Sequence, residues 1–230
     1  MSDLSRLRIV IPLFPGVTHL DFTGPHQVLS RAPNAKVIVA SMGGSDISAE
    51  GLVFSSLADL RAVEACDVLC VPGGPGTGDA MLDRGFIAEI GRLGSSARYL
   101  TSVCTGSLIL GAAGLLEGRR AACHWASRDL LPLFGATPDP GRVVRDRNLI
   151  TGGGVTAGID FAFTLLAELP GEAFAKTVQL GFEYAPAPPF RSGTPDEAGP
   201  EMTDSYLRAA AALFTKRRAD AQAAAARLGL

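Results

Sequence analysis

Short, nearly continuous apolar runs separated by amphipathic segments constrain this chain more than any other feature. Arg8–Phe14 (RIVIPLF), Ala35–Ser41 (AKVIVAS), Asp67–Val71 (DVLCV) and Arg98–Val103 (RYLTSV) read as buried strands. A strand without polar alternation has both faces covered, which is the condition of a parallel sheet between helical layers. Helix-like segments follow at Gly24–Ala32, Asp79–Leu93, Thr105–Leu116, Ala126–Phe134 and Val155–Leu169. Strand–helix alternation of this kind specifies an α/β domain with a mostly parallel central sheet and right-handed crossovers. Gly43–Val53 reads as an excursion of short strands. Ala185–Pro200 (APAPPFRSGTPDEAGP) reads as a loop, because proline fixes φ and removes donors. Glu201–Leu228 then reads as one long terminal helix with Leu207, Ala210, Ala211 and Phe214 on a single face, packing on its own domain or on a second subunit. The expected division is one α/β domain over 1–190 and a helical extension over 191–230.

Composition narrows the class of partner. With 21 Lys+Arg against 23 Asp+Glu the net charge is −2, and the pI is about 5.9, so no basic footprint for nucleic acid is expected. The apolar run near the N-terminus is too short for a signal peptide, and no stretch approaches the roughly 18 apolar residues a membrane span needs. A cytoplasmic protein is the expectation. The four cysteines, Cys66, Cys70, Cys104 and Cys123, contain no C-x-x-C pair, so neither a zinc ribbon nor a thioredoxin-type motif is present.

One cysteine stands where chemistry is done. Ser102-Val-Cys104-Thr-Gly-Ser107 joins the end of a buried strand to the start of an apolar helix, a design like the G-x-S-x-G nucleophile elbow. Unsatisfied N–H groups at a helix N-terminus favour thiolate and lower a thiol pKa from about 8.5. Small residues at 102, 106 and 107 permit the tight turn. The alternative for Cys104 is a buried, inert cysteine, which is also the reading for Cys66, Cys70 and Cys123. Asp21 follows the first strand at the end where α/β proteins bind ligands; it serves either as an acid/base or as the N-cap of the following helix. His19 and His26 read as structural, whereas His124, at the end of an apolar strand, is placed to face the site. Val71-Pro-Gly73-Gly74-Pro-Gly-Thr-Gly78 offers backbone amides for an anion or oxyanion but matches neither a Walker loop nor G-x-G-x-x-G. Thr151-Gly-Gly-Gly154 reads chiefly as close packing against the elbow.

Together, Asp21-Phe-Thr-Gly-Pro, Pro72-Gly-Gly-Pro-Gly, Ser102-Val-Cys-Thr-Gly, Ala113–Arg120 (AGLLEGRR) and His124-Trp125 resemble the ThiJ/PfpI superfamily over most of residues 8–183. Within it, Leu149–Asp160 and Gln179–Phe190 resemble the isocyanide hydratase branch. The resemblance implies a flavodoxin-like sandwich, commonly homodimeric, working without metal or organic cofactor. It implies that Cys104 is the nucleophile and that Asp21, where other branches more often carry Glu, is the acid/base. Thr105 would be the threonine neighbouring the nucleophile, and Gly73-Gly74 the active-site pair that holds developing negative charge. The residue after Cys104 is not His, unlike in the protease and chaperone branches. The implied reaction is addition of Cys104 to a small-molecule isocyanide, giving a thioimidate that water releases as an N-substituted formamide.

Two other readings remain. AraC-type regulators share the Asp-Phe-x-Gly-Pro start and the Cys-Thr-Gly elbow, but the roughly 40 residues after Phe190 are too few for a helix-turn-helix pair; a free-standing small-molecule sensor is still compatible. A redox sensor or glyoxalase-like enzyme would use the same thiolate.

Overall fold

The computed structural model describes residues 7–229. The chain begins β1 (Arg8–Pro12), α1 (His19–Leu29), β2 (Lys36–Ser41), then a hairpin of β3 (Ile47–Ala49) and β4 (Leu52–Phe54), and β5 (Ala58–Asp59). It continues β6 (Val68–Val71), α2 (Thr77–Leu82), α3 (Arg84–Ser96), β7 (Tyr99–Val103), α4 (Gly106–Ala112), β8 (Arg120–Ala121) and a 3-10 helix at Trp125–Phe134. It closes with β9 (Thr137–Pro138), β10 (Val143–Asp146), β11 (Leu149–Gly152), α5 (Ala157–Glu168), α6 (Glu172–Gly181), α7 (Pro195–Ala198), α8 (Pro200–Ala209) and α9 (Ala211–Ala226).

Seven strands form one sheet in the order β10-β11-β7-β6-β1-β2-β5, parallel throughout except for the antiparallel β10–β11 pair. Its middle, β2-β1-β6-β7-β11, has the flavodoxin strand order. The chain leaves β1 in one direction for β2 and in the other for β6, which makes a switch point at the carboxyl ends of β1 and β6. Two groups of helices flank the sheet: α1 with α5 and α6, and α2, α3 and α4 with α9. β1, β6, β7 and β11 are buried almost end to end, as unalternated apolar runs require.

Several boundaries differ from the sequence reading, each for a local reason. The first helix starts at His19 rather than Gly24, so Asp21 lies inside its first turn and Thr18 occupies the N-cap position. The expected helix over Asp79–Leu93 is two helices broken at Asp83, whose carboxylate accepts the Phe86 N–H at 3.0 Å and caps α3. Pro132 holds Trp125–Phe134 in 3-10 form. Cys123 lies just beyond β8, and His124 caps the 3-10 helix instead of ending a strand. The terminal segment is likewise two helices, α8 and α9, meeting at Ala210.

Of the expected face, Leu207, Ala210 and Phe214 are half-buried and Ala211 is exposed; the fully buried residues of α9 are Arg217, Ala221, Ala224 and Ala225. Alanine at these positions lets α9 lie close on α2 and α4. Lys216 ties it to Asp79 at 2.7 Å, and Arg218 pairs with Asp129. Among the described residues, no helix is long and apolar enough to cross a membrane.

Candidate active site

Three loops meet at the switch point, one each from β1, β6 and β7, and each brings one functional group. The chain turns sharply out of β7 at Cys104, whose φ of 58° is in the left-handed region. For a non-glycine residue such strain costs roughly 1–3 kcal/mol and persists only where the surroundings impose it. Here they do. The Cys104 N–H donates to Gly153 O at 2.7 Å and Gly152 O at 3.2 Å, while the Cys104 carbonyl accepts the His124 N–H at 3.2 Å. Behind the turn, the Ser107 hydroxyl donates to Ala122 O at 2.5 Å and meets Ser102 Oγ at 2.7 Å. Gly106 completes the elbow, since a Cβ there would stand 2.1 Å from Val71 O. The Gly152–Gly154 run thus presents backbone carbonyls to the elbow as well as packing against it.

Asp21 reaches this sulfur from the first turn of α1. It is fully buried. Its Oδ2 accepts the Gly73 N–H at 2.9 Å, the Cys104 thiol lies beside the carboxyl, and among the described residues Oδ1 has no hydrogen-bond partner. Asp21 does not cap its own helix. Burial raises its carboxyl to about 7, against the Gly73 and Cys104 hydrogen bonds that favour the charged form; Glu50 adds a smaller upward push.

The glycine pair does something other than expected. The resemblance gives the Gly73 and Gly74 amides to developing charge on a substrate, whereas both are occupied here: Gly73 N–H by Asp21, and Gly74 N–H by Thr105 Oγ1 at 3.0 Å. The loop therefore orients the acid and the elbow. Thr105 is committed in the same way. Its hydroxyl meets Thr77 Oγ1 at 2.7 Å, and Thr77 in turn donates to Gly74 O at 2.8 Å. What Thr105 turns toward the sulfur is its backbone N–H.

Gly73 packs so closely that a Cβ would stand 2.5 Å from both Thr105 N and Oγ1. Gly73→Ala is accordingly expected to lose about 1–3 kcal/mol of stability, the usual range for overpacking, and to pull the amide away from Asp21. Thermal melts together with turnover check this; an unchanged melting temperature contradicts it.

At Cys104 burial opposes the helix-end effect that favours a thiolate. Burial, and next the Asp21 charge, push the Cys104 thiol well above its ordinary value, and the Thr105 N–H and Arg217 only partly offset them. Burial of the sulfur opposes the single helix-end amide. Cys70 and Cys123 are also buried and, like Cys66, pushed up to about 12 by burial, as inert packing thiols are.

The sulfur opens on a cavity of about 150 Å³ lined by residues including Thr18, His124, Val155, Tyr206, Phe214 and Arg217. Tyr206, Phe214 and Arg217 come from α8 and α9 and were not anticipated from the sequence. His124 holds its Nδ1 toward the Ala126 N–H at 3.3 Å, and burial lowers its pKa to about 4, so the imidazole is neutral with its proton on Nε2. Trp125 and Tyr206 pack at 5.4 Å between ring centres. Together with His124 they wall an adjoining space of about 240 Å³ beneath α7 and α8. His19 stands apart, near Glu50, and His26 lies within α1. A larger cavity of about 370 Å³, walled by Leu13, Phe14, Met42 and Phe86, holds neither thiol nor histidine. Among the described residues, no three His, Cys, Asp or Glu side chains are grouped to hold a metal.

A strained cysteine elbow beside a buried carboxyl, at the switch point of a flavodoxin-order sheet, defines the class: the chain belongs to the DJ-1/PfpI family, whose pattern matches residues 7–168. Within that class it is similar to the isonitrile hydratase of Pseudomonas putida, with 49% identity over 225 residues, covering 97% of this chain and 99% of that protein. It also superposes on a crystal structure of a ThiJ/PfpI family protein from Pseudomonas syringae with a TM-score of 0.91 at 40% identity, covering 94% of this chain and 91% of that one. A transcriptional regulator of Rhizobium meliloti, GlxA, is 27% identical over 185 residues, 75% of this chain but 56% of the regulator.

Proposed function

We propose that this protein is an isocyanide hydratase, converting an isocyanide and water to an N-substituted formamide through a thioimidate on Cys104. The observation that carries the reading is the pairing of the Cys104 thiol with a buried carboxyl raised to about 7, with no histidine at the next position. Near-full-length similarity to a protein named isonitrile hydratase supports it.

The terminal carbon of an isocyanide accepts a nucleophile and a proton at the same atom. Cys104 and Asp21 are arranged to deliver both. As sulfur attacks, its proton passes to Asp21, whose Oδ1 has no other partner among the described residues. The S–C bond forms, a lone pair is left on that carbon, and Asp21 protonates it to give the thioimidate. Ionised Asp21 then takes a proton from water as its oxygen adds to the same carbon. That proton goes to nitrogen, the C–S bond breaks, and the hydroxyl proton returns to sulfur by way of Asp21. Covalent catalysis thereby divides one difficult hydration into two additions, each using a single acid/base whose pKa lies near the working pH.

The test is formamide formation from a purified sample supplied with an aromatic isocyanide, with a dicarbonyl in parallel. Turnover of the isocyanide supports the reading; turnover of the dicarbonyl alone would replace it with a glyoxalase-like activity. The family resemblance adds a cytoplasmic location and a homodimer to this reading; exposed Leu180 and Phe190, with 81% and 77% of their surface open, support the homodimer alone.

A further inference from the structure

The site contains a buried positive charge that the reaction scheme leaves unused. Arg217, on α9, is only 5% exposed. Its Nη1 donates to Ser127 Oγ at 3.1 Å and its Nη2 to Gly74 O at 3.1 Å, and among the described residues its Nε has no partner. Among the described residues no carboxylate pairs with it, although its helical neighbours Lys216 and Arg218 both have one. Burying a guanidinium without a counter-ion costs several kcal/mol, so an unpaired one calls for an anion. The groups that share its surroundings are Cys104, Cys123 and Tyr206, with neutral His124 on the cavity wall. Asp21 faces the sulfur from α1. Tyr206 belongs to the cavity wall and packs on Trp125 and Phe214, and Cys123 is an inert packing thiol. Cys104 is the group whose anion the reaction generates.

We propose that Arg217 is a positioning residue that serves as the fixed counter-ion of the Cys104 thiolate, holding negative charge on sulfur both in attack and when the formamide leaves. This rests on the assignment of Cys104 as nucleophile. Its anchors suit the task. The bond to Gly74 O ties the guanidinium to the residue whose own N–H donates to Thr105 Oγ1 at 3.0 Å, next to the elbow. Elsewhere a thiolate obtains its counter-charge from a neighbouring protonated histidine; here the C-terminal extension supplies it.

The experiment reads the sulfur directly, without isocyanide. The rate of Cys104 alkylation by iodoacetamide is followed against pH in wild type, Arg217→Gln, Arg217→Met and Arg217→Lys, with Cys104→Ala as blank. Neutral iodoacetamide is then compared with anionic iodoacetate. If charge is what matters, Gln and Met shift the alkylation profile upward by about one pH unit or more and lower the iodoacetate-to-iodoacetamide ratio several-fold, while Lys keeps both near wild type. Turnover follows the same order, with loss in kcat rather than KM. A profile and ratio unchanged in the folded Gln or Met variant overturns the proposal. So does a Lys variant that behaves like Gln, since the fork and not its charge would then be at work. Failure of isocyanide turnover in wild type leaves the alkylation comparison intact, so the two assignments fail separately.

Discussion

Cys104→Ala is expected to lose turnover by roughly four to six orders of magnitude, the scale seen when a covalent nucleophile is removed from an enzyme whose remaining groups act through it. Asp21 would keep its place against Gly73, but its proton would have no sulfur-bound carbon to meet. The fold should survive. The elbow is held by backbone hydrogen bonds of residue 104 to Gly152, Gly153 and His124, which alanine retains at the same φ. Circular dichroism should therefore match wild type while formamide production falls to background. Residual turnover within tenfold of wild type would remove the thiol from the chemistry.

Asp21→Asn should separate activity from stability in opposite directions. Burial raises the carboxyl to about 7 in the fold, against 3.8 for an ordinary aspartate. Between those values the native state holds a proton that the unfolded chain has released, so stability falls as pH rises through that window. The full penalty is present above pH 7 and amounts to on the order of 4 kcal/mol from a shift of this size. Asparagine carries no charge to bury and can still accept the Gly73 N–H. The variant should thus melt higher than wild type at pH 8 and show no such advantage at pH 4. Turnover, deprived of the group that moves every proton, should drop by about 10²–10⁴. Paired melts at the two pH values and steady-state assays check both arms; a variant destabilised at pH 8 would mean that the charge is not buried as described.

The parts of this site that were legible in the sequence are those that local chemistry dictates. A small-residue turn between a β-branched strand and an apolar helix can only expose residue 104, and a glycine-rich loop after a neighbouring strand must approach it. Other features depend on what packs above them. Asp21 could be placed near the site but not distinguished from a helix cap, because its partner Gly73 is 52 residues away. Gly73 and Gly74 were assigned to substrate charge because exposed amides invite anions. In the structure these amides are already taken, which no local pattern reveals. The burial of Cys104 is hidden from the sequence for a related reason: the helix-end effect is local, whereas desolvation is set by every element that covers the sulfur.

Arg217 was missed altogether. Flanked by Lys216 and Arg218 in an alanine-rich helix, it looks like one more solvated charge. The signal that would have found it is the run Leu213, Arg217, Ala221 and Ala224, a stripe of helical spacing in which three members are apolar. A charged residue inside such a stripe is buried with the rest. The face through Leu207, Ala210, Ala211 and Phe214 presumes one uninterrupted helix; the chain breaks at Ala210, and the fully buried stripe of α9 starts at Arg217.

The central claim is that Cys104 forms a covalent bond to the isocyanide carbon. The direct measurement is mass spectrometry of wild-type protein quenched at short times during turnover and digested to locate the modification. The account predicts an added mass equal to that of the isocyanide on the peptide bearing Cys104, rising before formamide accumulates steadily and absent from peptides bearing Cys66, Cys70 and Cys123. Steady formamide production with Cys104 unmodified at every time, and equal production by Cys104→Ala, would contradict it.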